Sequence, residues 1–153
     1  MSDVAIVIPI KVNNQRLPGK NTRRLHDKLL FEYLFNTVKD CNSVDSVYVD
    51  SSDKGILELA KLRGFKTIHR PVELNTPETS GNDLLRFEME HIDEAIICQC
   101  FVTLPFLSAK TIDTSIKLLQ DSSASSVLAL SKVENRFWFN GVPINHDFKT
   151  LQG

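Results

Sequence analysis

The chain has 153 residues, a formal net charge of −1 and 42% hydrophobic residues. This length predicts a single compact domain over residues 1–153, and the near-neutral charge excludes a broad positive field that would recruit nucleic acid or a membrane surface. No apolar run approaches the ~20 residues of a membrane span, and Met1-Ser2-Asp3 does not begin a secretory leader, so we expect a cytoplasmic protein.

The first predicted strand, AIVIPI at 5–10, runs into a loop that carries Lys11, Arg16 and Lys20 around Pro18 and Gly19. The polarity changes at the end of the strand, so this loop leaves the carboxyl edge of the sheet, where open α/β sheets bind their ligands. Three cations and several backbone amides can surround a triphosphate. On charge alone, a solvated basic loop is an equally good interpretation.

Strands and helices alternate along the rest of the chain. A Pro- and Thr-rich loop lies at 71–79, and the run at 137–145 is typical of a hairpin around Asn140-Gly141. Alternation of this kind predicts a Rossmann-like, three-layer α/β/α fold with a predominantly parallel sheet. The further predicted strands are 46–50, 65–70, 95–102 and 125–133, of which 95–102 is expected to be buried on both faces. The predicted helices are 29–38, 56–64, 82–92 and 110–122.

Helix-capping residues mark the second βα unit. Either Ser52 or Asp53 is the expected N-cap of the helix at 56–64, and Gly64 follows its last turn. Asp50 and Asp53 are expected to cap a helix or to face solvent.

Cysteine and histidine form no pattern of metal ligands. Cys41, Cys98 and Cys100 are odd in number and have apolar neighbours, which predicts buried free thiols in a reducing compartment. The Cys98-x-Cys100 spacing does not fit a zinc site, and the four histidines lie far apart.

The segment RLPGKN at 16–21 resembles the N-terminal signature of the sugar-acid cytidylyltransferases, approximately IPARGGSKRLPGKN. That group includes the CMP-sialic acid, CMP-pseudaminic acid and CMP-Kdo synthetases. This chain departs upstream, where Ile10 stands for Ala, Lys11 for Arg, and VNNQ for GGSK. IHRPVEL at 68–74 is similar to the family's LRPAEL segment. The likeness covers nearly the whole chain, and because family members continue for several tens of residues, the chain is expected to be C-terminally truncated.

The resemblance implies a fold of the nucleotide-diphospho-sugar transferase type. It also implies a reaction in which CTP activates a 2-keto-3-deoxy sugar acid, with Mg²⁺, to give a CMP-sugar and pyrophosphate. Lys20 and Lys11 would then contact the phosphates during catalysis. For Arg70, the alternative to nucleotide contact is a surface salt bridge. For Ser80, the alternative is a helix N-cap, which is as good an interpretation as nucleotide contact. The nucleotide-binding residues implied are Lys11, Asn13, Arg16, Lys20, Asn21, Arg70 and Ser80.

The resemblance weakens after the fourth strand. Phe101 stands where relatives have Gln, and no carboxylate follows to bind Mg²⁺, so the metal ligands are not assigned. The sugar acid is not specified, and a homodimer is implied for the full-length family but is left open for this chain. A non-catalytic nucleotide-binding or scaffold protein on the same fold is therefore the alternative.

Overall fold

The computed structural model of the protein describes residues 3–12 and 17–147. The eight strands among these residues are β1 (Val4–Pro9), β2 (Arg24–Leu25), β3 (Lys28–Leu29), β4 (Ser46–Ser51), β5 (Lys66–His69), β6 (Ile96–Gln99), β7 (Trp138–Phe139) and β8 (Val142–Pro143). The four α-helices are α1 (Leu30–Lys39), α2 (Lys54–Leu62), α3 (Gly81–Met89) and α4 (Ala109–Gln120). None of the helices in these ranges has the length and apolar character to cross a membrane.

Four strands form a parallel sheet in the order β5-β4-β1-β6. Every residue of β1 is buried, because this strand has a neighbour on each side and helices over both faces. Ile6 and Ile8 face a cluster that includes α1, α2 and α4, whereas Ala5 and Val7 face a smaller cluster beside α3. The predicted three-layer α/β/α fold is confirmed.

Two local predictions for the helices are confirmed. Asp53 is the N-cap of α2, and its carboxylate accepts a hydrogen bond of 2.9 Å from the backbone N–H of Ile56. Gly64 has a φ of 82°, the left-handed conformation that ends a helix and that glycine adopts without strain. These residues fix where the second βα unit begins and ends.

Two predictions for strands are wrong. Residues 125–133 form no strand; nearly all of them are exposed, and no described strand lies beside them to complete a ladder. The strand predicted at 95–102 is only Ile96–Gln99, and its residues are half-buried because β6 is at the edge of the described sheet. The hairpin around Asn140-Gly141 is confirmed by the pairing of β7 with β8.

Candidate functional site

A cavity of about 290 Å³ opens at the carboxyl edge of the sheet. Its walls come from the loop after β1, the residue after β5, the start of α3 and the segment after β6. Predicted site residues that line it are Lys11, Lys20, Asn21, Arg70 and Ser80. The other two, Asn13 and Arg16, lie outside the described residues.

The basic loop is held against the end of β1 by Asn21. This side chain is buried, and its Nδ2 donates a 2.8 Å hydrogen bond to the carbonyl of Lys11. Gly19, with a φ of 65°, makes the turn that brings Lys20 back toward the strand. The Lys11 ammonium donates to the carbonyl of Thr76 at 3.0 Å, and thereby joins the basic loop to the loop after β5. An ammonium has three N–H donors, of which this bond uses one.

Arg70 lies at the cavity but is almost completely buried, with 2% of the residue exposed. Its Nε donates to both carboxylate oxygens of Asp50, at 3.2 and 3.0 Å, and its Nη2 donates to Oδ2 at 2.6 Å. Nη1 takes no part in these bonds to Asp50. Burial of the Arg70 charge is tolerated because the buried carboxylate of Asp50 forms an ion pair with it.

Asp50 therefore corrects one expectation from the sequence. It neither caps a helix nor faces solvent: it is 0% exposed at the end of β4. Asp50 is buried because Arg70 lies close to it, just after the adjacent strand. Asp50 pairs in register with Ile68 of β5, and Arg70 follows Ile68 by two residues. Of the two aspartates considered, only Asp53 is a cap.

Glu88 on α3 is a buried carboxyl group that the sequence analysis did not identify. Its Oε2 accepts a 2.7 Å hydrogen bond from Gln99, and its Oε1 has no hydrogen-bond partner in the described structure. Burial, and next the negative charge of Asp50, raise the pKa of Glu88 to about 8, although Gln99 and Arg70 oppose this shift. Leu84, one helical turn before Glu88, is half-buried, which indicates that Glu88 lies on the inward stripe of α3.

Ser80 is the N-cap of α3, which confirms one of its two predicted roles. Its Oγ accepts from the backbone N–H of Asp83, and the carboxylate of Asp83 accepts from the Ser80 backbone N–H at 3.1 Å. The Ser80 hydroxyl also donates to Asp83 at 2.6 Å, and these bonds lower the pKa of that carboxyl. The start of α3, which lines the cavity, therefore has a structured cap.

Part of the cavity lining is apolar. Phe101 is 46% exposed and lines the cavity together with Leu74 and Leu84. A phenyl ring offers a flat surface to a ligand but no hydrogen bond, so this wall differs in kind from the side formed by Lys11 and Lys20.

No carboxylate is among the residues that line the described part of the cavity. Nor does any group of three or more His, Cys, Asp or Glu side chains in residues 3–12 and 17–147 have the arrangement of a metal site. The thiols of Cys98 and Cys100 lie 3.8 Å apart and belong to the core side of β6. No side chain among the described residues is therefore assigned to magnesium.

This fold, with a cation-rich cavity at the carboxyl edge of a parallel sheet, is that of the nucleotidyltransferases. The chain belongs to the cytidylyltransferase family, whose model matches residues 5–150. The match includes every strand of the sheet except the first residue of β1, and all the described residues that line the cavity.

The chain is similar to two kinds of cytidylyltransferase. N-acylneuraminate cytidylyltransferase A of Danio rerio is 24% identical over 136 residues, which cover 88% of this chain and 32% of that protein. The 3-deoxy-manno-octulosonate cytidylyltransferase of Acinetobacter baumannii is 25% identical over 125 residues, which cover 82% and 49%. The chain thus spans about a third of the length of the first of these relatives and about half of the second.

Solved structures share the fold. A CMP:2-keto-3-deoxy-manno-octonic acid synthetase complexed with CTP matches with a TM-score of 0.68 at 24% identity, over 79% of this chain and 48% of the other. A cytidylyltransferase from Leptospira borgpetersenii matches with a TM-score of 0.63 at 21% identity, over 80% and 51%.

Proposed function

We propose that this chain carries the CTP-binding part of an enzyme that activates a 2-keto-3-deoxy sugar acid as its CMP derivative. The observation that carries the proposal is the convergence of Lys11, Lys20 and Arg70 on one cavity at the carboxyl edge of the sheet. Membership of the cytidylyltransferase family supports the choice of CTP. The names of the relatives support a sugar acid as the second substrate.

In the proposed reaction, the anomeric hydroxyl of the sugar acid attacks the α-phosphate. A bond forms between the hydroxyl oxygen and the α-phosphorus, and the bond between the α-phosphorus and the oxygen that bridges to the β-phosphate breaks. Pyrophosphate leaves, and the hydroxyl proton is released. Charge on the phosphate oxygens is the main electrostatic demand, and fixed cations meet it without reorganisation. Lys20 and Lys11 would hold the phosphates, while Asn13, Arg16, Asn21, Arg70 and Ser80 would complete the nucleotide site.

Mg²⁺ and a homodimer remain predictions from the family resemblance, as does the cytoplasmic location. Light scattering of the purified chain measures its oligomeric state directly. No group of three or more His, Cys, Asp or Glu side chains in the described part of the chain is arranged to hold a metal, and the ligands of Mg²⁺ are not assigned.

The proposed activity is tested by pyrophosphate release from CTP and Mg²⁺ with a panel of nine-carbon and eight-carbon keto-sugar acids. For the full-length protein we expect pyrophosphate release with either the nine-carbon or the eight-carbon acids. We expect no release when the acid is omitted. The nine-carbon and eight-carbon arms distinguish the substrates named for the two groups of relatives. CTP binding with no release for any acid would contradict the enzymatic proposal.

A non-catalytic nucleotide-binding or scaffold protein is the second candidate. Phe101 favours it, because this side chain presents no polar group to a sugar acid at the edge of the cavity. This candidate predicts CTP binding without pyrophosphate release under every condition of the same assay.

A further inference from the structure

A buried polar cluster lies beneath the cavity and consists of Asp50, Arg70, Glu88 and Gln99. We infer that Glu88 is a positioning residue of the nucleotide site: its proton keeps the cluster electrically neutral around Arg70, and loss of that proton weakens the binding of a triphosphate. The effect on the ligand rests on the proposed function. The charge state of the cluster does not.

The geometry of the cluster joins three strands and one helix. Asp50 is the last but one residue of β4, Arg70 follows β5, Gln99 ends β6 and Glu88 is on α3. Asp50 and Glu88 are 0% exposed, and Arg70 is 2% exposed. Only Arg70 of these four residues lines the cavity, so it is the group through which the cluster can act on a ligand.

The number of charges in the cluster depends on Glu88. Asp50 holds the Arg70 guanidinium with three hydrogen bonds from Nε and Nη2 to its carboxylate oxygens, so these two charges compensate each other. A second ionised carboxylate would have no buried cation of its own, which is costly in a low-dielectric interior. The charged groups that act on Glu88 are Asp50 and Arg70, and Gln99 contributes a neutral amide.

Its hydrogen bonds also favour a protonated Glu88. Gln99 donates to Oε2, which leaves Oε1 as the buried atom without a partner. When protonated, this carboxyl can donate a hydrogen bond to Asp50, whose negative charge, after burial, is the next cause that raises the pKa of Glu88 to about 8. Asp50 would then be held from both sides, by Arg70 and by neutral Glu88.

Ionisation of Glu88 changes the field at the cavity. The cluster passes from zero net charge to −1 directly behind Arg70. Because the phosphates of CTP are negative, the extra charge opposes their binding and draws the guanidinium toward the carboxylates. Affinity should therefore fall as pH rises through the Glu88 pKa.

Nuclear magnetic resonance of the ligand-free chain tests the charge state. We expect the Glu88 side-chain carbon signal to titrate with a midpoint near 8, and the Arg70 Nε–H signal to shift with the same midpoint. Glu88→Gln, which mimics the protonated carboxyl, should abolish the movement of the Arg70 signal. A Glu88 signal that titrates near its ordinary value, or an Arg70 signal indifferent to it, would overturn the inference whether or not CTP binds.

Calorimetric titration with CTP from pH 7.5 to 9.5 tests the effect on binding. The parent should lose about tenfold in affinity over this range relative to Glu88→Gln, the size of one charge acting over about 12 Å at an effective dielectric constant of about 20. Glu90→Gln is the matched control, because Glu90 is exposed at the end of the same helix and should follow the parent.

The outcomes of the titration separate the two claims. Parallel pH profiles for the parent and Glu88→Gln would refute the coupling and leave the nucleotide site in place. Absence of CTP binding to every variant at every pH would refute the proposed function, and the resonance experiment would still decide the charge state.

Discussion

Lys20 and Arg70 were both predicted from the sequence as nucleotide contacts, but they differ in burial and in their bonds to the rest of the protein. Lys20 is half-buried in a loop at the cavity, whereas Arg70 is enclosed and bonded to Asp50. A substitution at Lys20 should therefore change mainly the affinity for the ligand. A substitution at Arg70 should also lower the stability of the fold.

Lys20→Ala should weaken CTP binding by roughly 1.5–3 kcal/mol, the range for hydrogen bonds to charged groups, with little change in melting temperature. Calorimetry and thermal denaturation measure the two effects. Lys110→Ala, at an exposed position on α4, is the control and should bind CTP like the parent. Unchanged CTP affinity in Lys20→Ala would remove this residue from the site.

Arg70→Ala should lower the free energy of unfolding by about 3–5 kcal/mol, because it leaves the buried Asp50 carboxylate without its cation. Chemical denaturation measures the loss. The double variant Arg70→Ala/Asp50→Asn should recover part of it, since no uncompensated buried charge remains. A loss below about 1 kcal/mol in the single variant would contradict the buried ion pair.

Glu88 should make stability depend on pH in a defined direction. Its folded pKa is raised, so its contribution to stability is fully present below its ordinary pKa of 4.5 and is lost as pH rises toward about 8. Glu88→Gln should therefore gain on the parent across this window, by at most about 1.4 kcal/mol per pH unit. Denaturation at pH 5, 6.5 and 8 checks the trend; a difference that does not grow with pH would contradict it.

At the level of helices and strands, capping and turn residues were predictable because their effects are local. Gly64 and Asn140-Gly141 adopt the positive φ that their positions require. The strand predicted at 125–133 failed for the opposite reason: a ladder needs a neighbouring strand, and a short apolar run does not provide one. For the same reason the sequence could not reveal that β6 lies at the edge of the described sheet.

The N-cap of α2 offers a direct comparison, since the sequence left Ser52 and Asp53 as alternatives. Asp53→Ala should cost about 1 kcal/mol of unfolding free energy through loss of the bond to the Ile56 N–H. Ser52→Ala should cost little. Chemical denaturation of both variants decides between them, and a larger effect at Ser52 would contradict the observed cap.

Across the chain as a whole, the fold and the location of the site could be predicted from the order of elements and from the RLPGKN segment. The interior of the site could not. Asp50 and Arg70 are 20 residues apart in sequence, and Glu88 and Gln99 approach them only when β4, β5, β6 and α3 are assembled. A buried carboxylate and a solvated one look alike in a sequence, because their difference lies in which side chains the fold places around them.

The central claim, that this cavity binds CTP, is tested most directly by calorimetric titration of the chain with CTP and with ATP under identical conditions. We predict saturable binding of CTP in preference to ATP, and loss of most of that binding in Lys20→Ala. Equal affinity for the two nucleotides would contradict the cytidine assignment and leave only a phosphate site. No binding of either nucleotide would contradict the claim itself.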